Sequence, residues 1–402
     1  MSAISEAEAA ILDLAANAPM LDQVQSWASI NSGSHNLTGL AQMAELLRDA
    51  FAVLPGNVSL VPPEPVEAIQ PDGKAATVSL GHHILLTVRP NVPVRLLLTG
   101  HMDTVYGADD PFQQLCWADE GILNGPGVAD MKGGIAIMLA GLCAFEQSPA
   151  AARIGYDVII NSDEEIGSPS SARLIASMAQ GKLAAFTYEP ALPNGTLAGA
   201  RSGSANFSVV VAGKSAHAGR NPHEGRNAVV AAADLAVRLK RGSGRAFTCN
   251  PARIEGGGPN NIVPDHAILR VNFRARTPDD EQAAHSLLEE TVTAVGREHG
   301  VCMNIHLDSA RPPKPWDEKA KSLFELVRQC GADLGLALDC RDTGGVCDGN
   351  NIAACGVPVI DTMGARGGSI HSPGEYLIVD SLAERARLSA LALMRMAERG
   401  RL

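Results

Sequence analysis

The sequence predicts an α/β fold: a mostly parallel sheet with flanking helices, interrupted by a smaller inserted α+β domain of ferredoxin-like order. Three observations carry this. Short apolar runs alternate with helical stretches before an interruption, and one further apolar run follows it. The interruption itself, residues 202–312, reads strand, helix, strand, strand, helix, strand. The length of 402 residues exceeds what one hydrophobic core usually serves. The expected division is 1–201 with 313–402 as one domain and 202–312 as the insertion.

Apolar residues at helical spacing mark 6–16, 21–30 and 37–51, the last entered through the turn Asn31-Ser32-Gly33-Ser34. Apolar runs at 84–88, 94–98, 156–160, 185–188 and 357–360 read as strands, with helices at 134–147 and 170–178 between the middle ones. Near-continuous apolar runs of this kind suit strands covered on both faces. Within the insertion, strands are expected at 205–211, 246–255, 262–275 and 301–307, and helices at 226–239 and 281–299.

With 46% hydrophobic and 19% charged residues there is ample material for a core. The formal charge of −11 repels phosphate backbones and anionic lipid, which argues against nucleic acid or membrane surfaces as partners and favours a small molecule. The start, MSAISEAEAAILDLAANAPM, has no basic segment leading into an apolar one. The longest apolar run, 135–145, falls short of the roughly 20 residues that span a bilayer. A soluble, cytoplasmic protein is expected. Eight cysteines without a C-x-x-C pair suit reduced thiols, so any metal would need His and carboxylate ligands.

In an open parallel sheet, ligands bind beyond the carboxyl ends of the strands. There the sequence repeatedly places the same chemistry. "TGHMDTV" supplies His101 and Asp103; Ser162-Asp163-Glu164-Glu165 follows the strand at 156–160; Glu189 follows 185–188. The loop "DTMGARGGSIHSPGEY" supplies His371, and "NGPGVADMKGG" places Asp130 just before a helix. Each piece alone is common in loops, and the glycine cluster lacks the spacing of nucleotide-binding loops. Together, two His and several carboxylates without a thiolate make a site for two divalent cations that favour nitrogen and oxygen, Zn²⁺ foremost.

In this order, "TGHMDTV", "GPGVADMKGG", "DEEIGS", "YEP" and "IHSPGEY" resemble the ligand motifs of the co-catalytic zinc hydrolases. That family includes glutamate carboxypeptidase, acetylornithine deacetylase, succinyl-diaminopimelate desuccinylase and the aminoacylases. The resemblance spans nearly the whole chain and implies two Zn²⁺ per subunit, with Co²⁺ or Mn²⁺ as substitutes. It implies that Asp130 bridges, that Glu165 and His371 complete one ion's ligands, and that His101 and Glu189 complete the other's. Asp103 would accept the free ring N–H of His101 and fix its tautomer. Glu164, unligated beside Glu165, would serve as general base. A cis peptide is expected after Asp130.

The resemblance further makes 1–201 and 313–402 the catalytic domain and 202–312 a lid and dimerisation domain. It implies that His217, in "GKSAHAG", stabilises the oxyanion in the partner subunit of a homodimer. Asn261, Arg274 and Arg311 would hold the free carboxylate of the leaving amino acid, with backbone groups of the Gly344-Gly345 turn alongside. Glutamate-selective relatives carry a basic residue shortly after the position of Glu189, and residues 190–200 here have none. Arg366 is the expected substitute.

Three functions compete at this stage. The first is an exopeptidase or amidase that cleaves the amide next to a C-terminal amino acid. The second is an N-acyl-amino-acid deacylase using the same site. The third, a receptor-like protein without catalysis, is disfavoured because all five ligand positions and Glu164 are present.

Overall fold

A computed structural model describes residues 4–402. Its main sheet has six strands in the order Asn57–Val61, His83–Val88, Gly155–Asn161, Arg95–His101, Ala184–Thr187, Val359–Ile360. The last four run parallel, and the two at the other edge are antiparallel to their neighbours. The sheet is therefore mixed, with a parallel core.

Side-chain alternation along these strands builds two cores at once. Leu96, Leu98, Val158 and Ile160 face a large core shared with the helices Glu6–Ala16, Gly134–Glu146 and Asp380–Arg399. Leu97, Ile159 and Ala185 face a smaller one under Ala172–Ala179 and Asp348–Ala354. Because both faces are covered, Gly155–Asn161 is buried along its whole length, which is why its sequence is mostly apolar, with the buried Asp157 paired to Arg95 and Lys182. The segment Val128–Glu146 is long and apolar enough to pass for a membrane span, with mean hydropathy 1.6, yet 94% of it is buried inside the fold. Non-helical backbone at Asp130 and Met131 interrupts it, and the regular core helix is Gly134–Glu146, close to its expected bounds.

The second layer is a four-stranded antiparallel sheet in the order Cys302–Arg311, Gly203–Ala212, His266–Ala275, Phe247–Gly256. Helices Ala228–Gly242 and Pro278–His299 pack on it around a separate core that includes Phe207, Leu235, Phe273 and Leu288. The strand expected at 262–275 is broken: Ile262–Val263 pairs with Ala216–His217, and the long strand begins only at His266. Pro264, which has no N–H for a ladder, stands in the gap.

The expected helices and strands before residue 312 are otherwise present within a few residues of their expected bounds. The hairpin Val66–Ile69 with Ala75–Val78 and the paired strands Leu197–Arg201 and Cys340–Thr343 had no apolar signature strong enough to announce them.

Candidate metal centre and substrate pocket

Strand register brings the polar residues together. His101 ends its strand opposite Asn161, so the segments that follow the two strands leave the sheet at the same level. Close backbone approach does the rest. A Cβ on Gly134 would lie 1.9 Å from the Tyr188 carbonyl, and one on Gly364 would lie 2.2 Å from the same oxygen. Only glycine lets the Asp130 segment and the 361–371 loop both press against Tyr188 and Glu189. The Asp130–Met131 peptide is cis, as expected.

Asp130 lies between two sets of ligand atoms. Its Oδ1 is 3.1 Å from His101 Nε2, which in turn is 3.8 Å from Glu189 Oε2. Its Oδ2 is 3.3 Å from His371 Nε2, which is 3.2 Å from Glu165 Oε2. His101 Nδ1 faces the Asp103 carbonyl at 3.0 Å, which keeps the N–H on Nδ1 and turns Nε2 inward.

The charges in this cluster strain against burial. Burial pushes Glu164 well above the ordinary carboxylate range, and Arg311 beside it does not reverse this. Glu165 rises to about 7 through burial and the neighbouring Asp130. Burial raises Glu189 as well. Burial also opposes the charged forms of Asp130 and His101, but their mutual hydrogen bond, the one His371 donates to Asp130 and the attraction of Asp103 and Glu189 for His101 win, holding Asp130 low and His101 high. Hydrogen bonds that its ring donates to Asp130 and Glu165 lift the half-exposed His371 to about 11.

These residues fit a pair of divalent cations. Four carboxylates crowd around two imidazoles, and Glu189 Oε1 is buried with no hydrogen-bond partner. Ligand atoms of His101, Asp130 and Glu165, and of His101, Glu164 and Glu189, also converge closely enough to share an ion. The donor set is nitrogen and oxygen throughout.

The surroundings depart from expectation in several places. The Asp103 carboxylate is 3.4 Å from His101 Nδ1, farther than its own carbonyl. Its oxygens instead accept the backbone N–H groups of Glu164 and Glu165, both at 3.1 Å, and the Ser34 hydroxyl at 2.7 Å. Asp103 thus fixes the turn that carries the two glutamates. Arg311 is buried and engaged: Nη2 is 2.9 Å from Glu164 Oε1 and donates to the Glu164 carbonyl at 2.8 Å. Arg366 is not in the cavity. Its Nε donates to the Pro193 carbonyl and its Nη1 to Glu384, both at 2.8 Å, so it braces the pocket wall from behind.

A cavity of about 920 Å³ opens from the cluster toward the second layer, lined among others by Arg274, Arg311, Arg201, Arg341 and Gly345. His217 and Asn261 lie outside it, exposed and joined through the hydrogen bond from Ala218 N–H to the Asn261 carbonyl.

Two residues gave little warning in the sequence. Glu375 is buried and accepts the N–H groups of Ala129 and Asp130 at 3.0 and 3.1 Å, while Tyr106 donates to it at 2.9 Å. Burial and Asp130 lift it to about 7. Asp348 receives the Ser168 hydroxyl at 2.5 Å and Asn161 at 2.8 Å, and lies 3.4 Å from Arg311. Glu375 stands in the same "IHSPGEY" stretch as His371, the one signal available for it.

A sheet of this topology with an oxygen-and-nitrogen cluster at its carboxyl ends and an unligated buried glutamate beside it defines a metal-dependent hydrolase. The family profile described as Peptidase family M20/M25/M40 matches residues 97–395. The chain belongs to that family. It is 30% identical to carboxypeptidase G2 of Pseudomonas sp. (strain RS-16) over 333 residues, 80% of this chain and 78% of that protein. It is 26% identical to succinyl-diaminopimelate desuccinylase of Verminephrobacter eiseniae over 313 residues, 71% of this chain and 75% of that one. Among solved structures, the M20 family metallo-carboxypeptidase Sso-CP2 from Sulfolobus solfataricus superposes with a TM-score of 0.70 at 16% identity, covering 94% of this chain and 99% of that one.

Proposed function

We propose that this protein is a di-zinc hydrolase that cleaves the amide bond next to a C-terminal amino acid. The observation that carries this reading is Asp130, whose two oxygens face two separate His-and-Glu sets, with Glu164 left over. His101 and Glu189 would hold one ion, His371 and Glu165 the other, and Asp130 both. Bound there, Zn²⁺ would supply Lewis acidity to the scissile carbonyl and to the attacking water.

The chain's own residues then divide the work. Glu164, buried and held above the usual carboxylate range, takes the proton of the attacking water and returns it to the leaving amine. Glu375 and Asp103, through backbone N–H groups, fix Asp130 and the Glu164–Glu165 turn. Arg274, in the cavity wall, presents a guanidinium to the leaving amino acid's carboxylate, and Gly345 lines the same wall.

On this reading 1–201 and 313–402 form the catalytic domain and 202–312 a lid that also pairs two copies in a cytoplasmic homodimer. His217, exposed and outside its own chain's cavity, then serves the partner subunit, with Asn261 beside it. The likeness to succinyl-diaminopimelate desuccinylases favours a second reading, N-acyl-amino-acid deacylation at the same site.

Metal analysis of the purified protein, with an EDTA-sensitive assay on dipeptides and N-acyl amino acids, tests both. Two equivalents of zinc and chelator-sensitive release of a C-terminal amino acid are expected. Full activity after exhaustive chelation removes the metal assignment; strict preference for acetyl or succinyl over aminoacyl groups selects the deacylase.

A further inference from the structure

Away from the metal ligands, the cavity has a wall of opposite charge. Strand Cys340–Thr343 runs parallel to Leu197–Arg201, with Arg341 opposite Ala198. Alternation puts Arg341 and Thr343 on the face that lines the cavity, while Asp342 accepts the Ala200 N–H at 3.0 Å. Arg341 is exposed and forms no ion pair among the described residues.

Arg201 belongs to the same wall. Its Nε donates to Asp361 Oδ2 at 2.7 Å, and Lys314 Nζ donates to the same oxygen at the same distance. Two buried cations share one carboxylate, which leaves one positive charge without a carboxylate contact of its own behind the wall. Cys347, 3.6 Å from that oxygen, cannot balance it, because burial raises its thiol well above the ordinary range. Arg274 Nη1 is tied to the Gly344 carbonyl at 2.6 Å. Among the described residues, the carboxylates lining the cavity are Asp130, Glu164, Glu165 and Glu189, all members of the metal cluster or its base.

The geometry points to Arg341 as a specificity-determining residue that receives a substrate carboxylate additional to the one on the leaving amino acid's α-carbon. The inference rests on the N-acyl amino acid reading above and names its substrate class: dicarboxylates. A guanidinium with no protein partner offers its full fork to a carboxylate, and the excess charge at Arg201 and Lys314 adds attraction without a contact. Arg366, turned outward onto Glu384, is not available for this task. The additional carboxylate has two possible sources, the amino acid's side chain or the acyl group.

Matched substrate pairs decide between them. N-acetylglutamate against N-acetylglutamine varies the side-chain charge, and N-succinylalanine against N-butanoylalanine varies the acyl charge. In the metal-replete protein, kcat/KM should favour the charged member of one pair by about tenfold or more, a preference that R341Q collapses and R341K largely keeps. Glutarate, which is not hydrolysed, should bind R341Q about tenfold more weakly by calorimetry. Turnover with an unchanged charged-to-neutral ratio in R341Q overturns the role of Arg341 alone. No turnover of any member overturns the functional reading, and glutarate binding then judges Arg341 separately: weakened binding keeps it as an anion-recognising residue, and unchanged binding removes it.

Discussion

Arg311 Nη2 lies 2.9 Å from Glu164 Oε1 and also donates to the Glu164 backbone carbonyl at 2.8 Å, so one guanidinium holds the glutamate by both its ends. Its Nη2 further donates to Ser168 at 2.7 Å, and Ser168 donates to Asp348. A base held this way cannot swing into its neighbour's ligand position. Glu164→Gln keeps the shape and removes the proton acceptor, so kcat should fall by roughly 10² to 10⁴. Zinc content should stay at the wild-type value, since Glu165, not Glu164, is the assigned ligand. Near-normal turnover in that variant would refute the assignment.

Replacing Arg311 probes the same pair from the other side. Arg311→Met leaves Glu164 and Asp348 buried without their cation, a change that costs about 3 to 5 kcal/mol when a buried pair loses one member. Urea unfolding should show the loss, and kcat should fall while metal content holds. Arg311→Lys restores the charge but not the fork, so it should recover most of the stability and less of the rate.

Metal removal should be legible in stability as well as in rate. A ligand that binds only the folded chain stabilises it by about 4 kcal/mol at a thousand times its Kd, so chelation should lower the melting temperature and added Zn²⁺ should restore it. In the metal-free chain His371 is held up at about 11 and Glu165 at about 7. Both lie above the unfolded values of about 6.5 and 4.3. Their contribution is full below those unfolded values and is lost as pH rises through the folded ones, so the metal-free protein should melt lower at pH 9 than at pH 5. The cations replace those protons, so stabilisation by Zn²⁺ should grow over the same range. A melting temperature insensitive to both chelator and pH would count against the cluster as a metal site.

The reason so much of this site is visible in the sequence is that its residues stand where strands end. His101, Glu164, Glu165 and Glu189 each follow an apolar run that is buried on both faces, and such runs are hard to mistake. Glu375 and Asp348 were less legible because they act through other groups. Glu375 holds backbone N–H groups about 245 positions away, and Asp348 reaches Ser168 across 180 positions. No local pattern encodes such partners. The direction of Arg366 was equally out of reach, since Glu384 on the last helix decides it. The strand that carries Arg341 has exposed or half-exposed side chains throughout, so it lacked the apolar signal that marks the others.

Asp361 offers a pH test far from the metal ligands. Burial opposes its charge, yet Arg201 and Lys314 outweigh burial and hold its pKa below the ordinary value. A depressed carboxylate contributes stability that is present above its unfolded value, about 3.9, and lost as pH falls through the folded one. Acid unfolding of the wild-type chain should therefore steepen below about pH 4. Asp361→Asn should be less stable at pH 7 and should show a shallower loss between pH 4 and pH 2, as followed by circular dichroism. An unaltered acid limb would show that this carboxylate is not held by its two cations.

Arg366 and Arg341 make opposite predictions from similar chemistry. Arg366 pairs with Glu384 at 2.8 Å and donates to Pro193, while Arg385, buried nearby, donates to the Gly195 carbonyl at 2.8 Å. The two arginines anchor the turn between Leu192 and Thr196, both of which line the cavity. Arg366→Ala should loosen that wall. Because the wall touches every substrate, KM should rise for charged and neutral members of a matched pair alike, with their ratio preserved. Loss at Arg341 instead removes one carboxylate partner and changes the ratio. The geometry supports the distinction: the Arg366 guanidinium is committed to Glu384 and the Pro193 carbonyl behind the wall, outside the cavity. A selective loss of the charged substrate in Arg366→Ala would reverse the two roles and place the anchor back in the 361–371 loop.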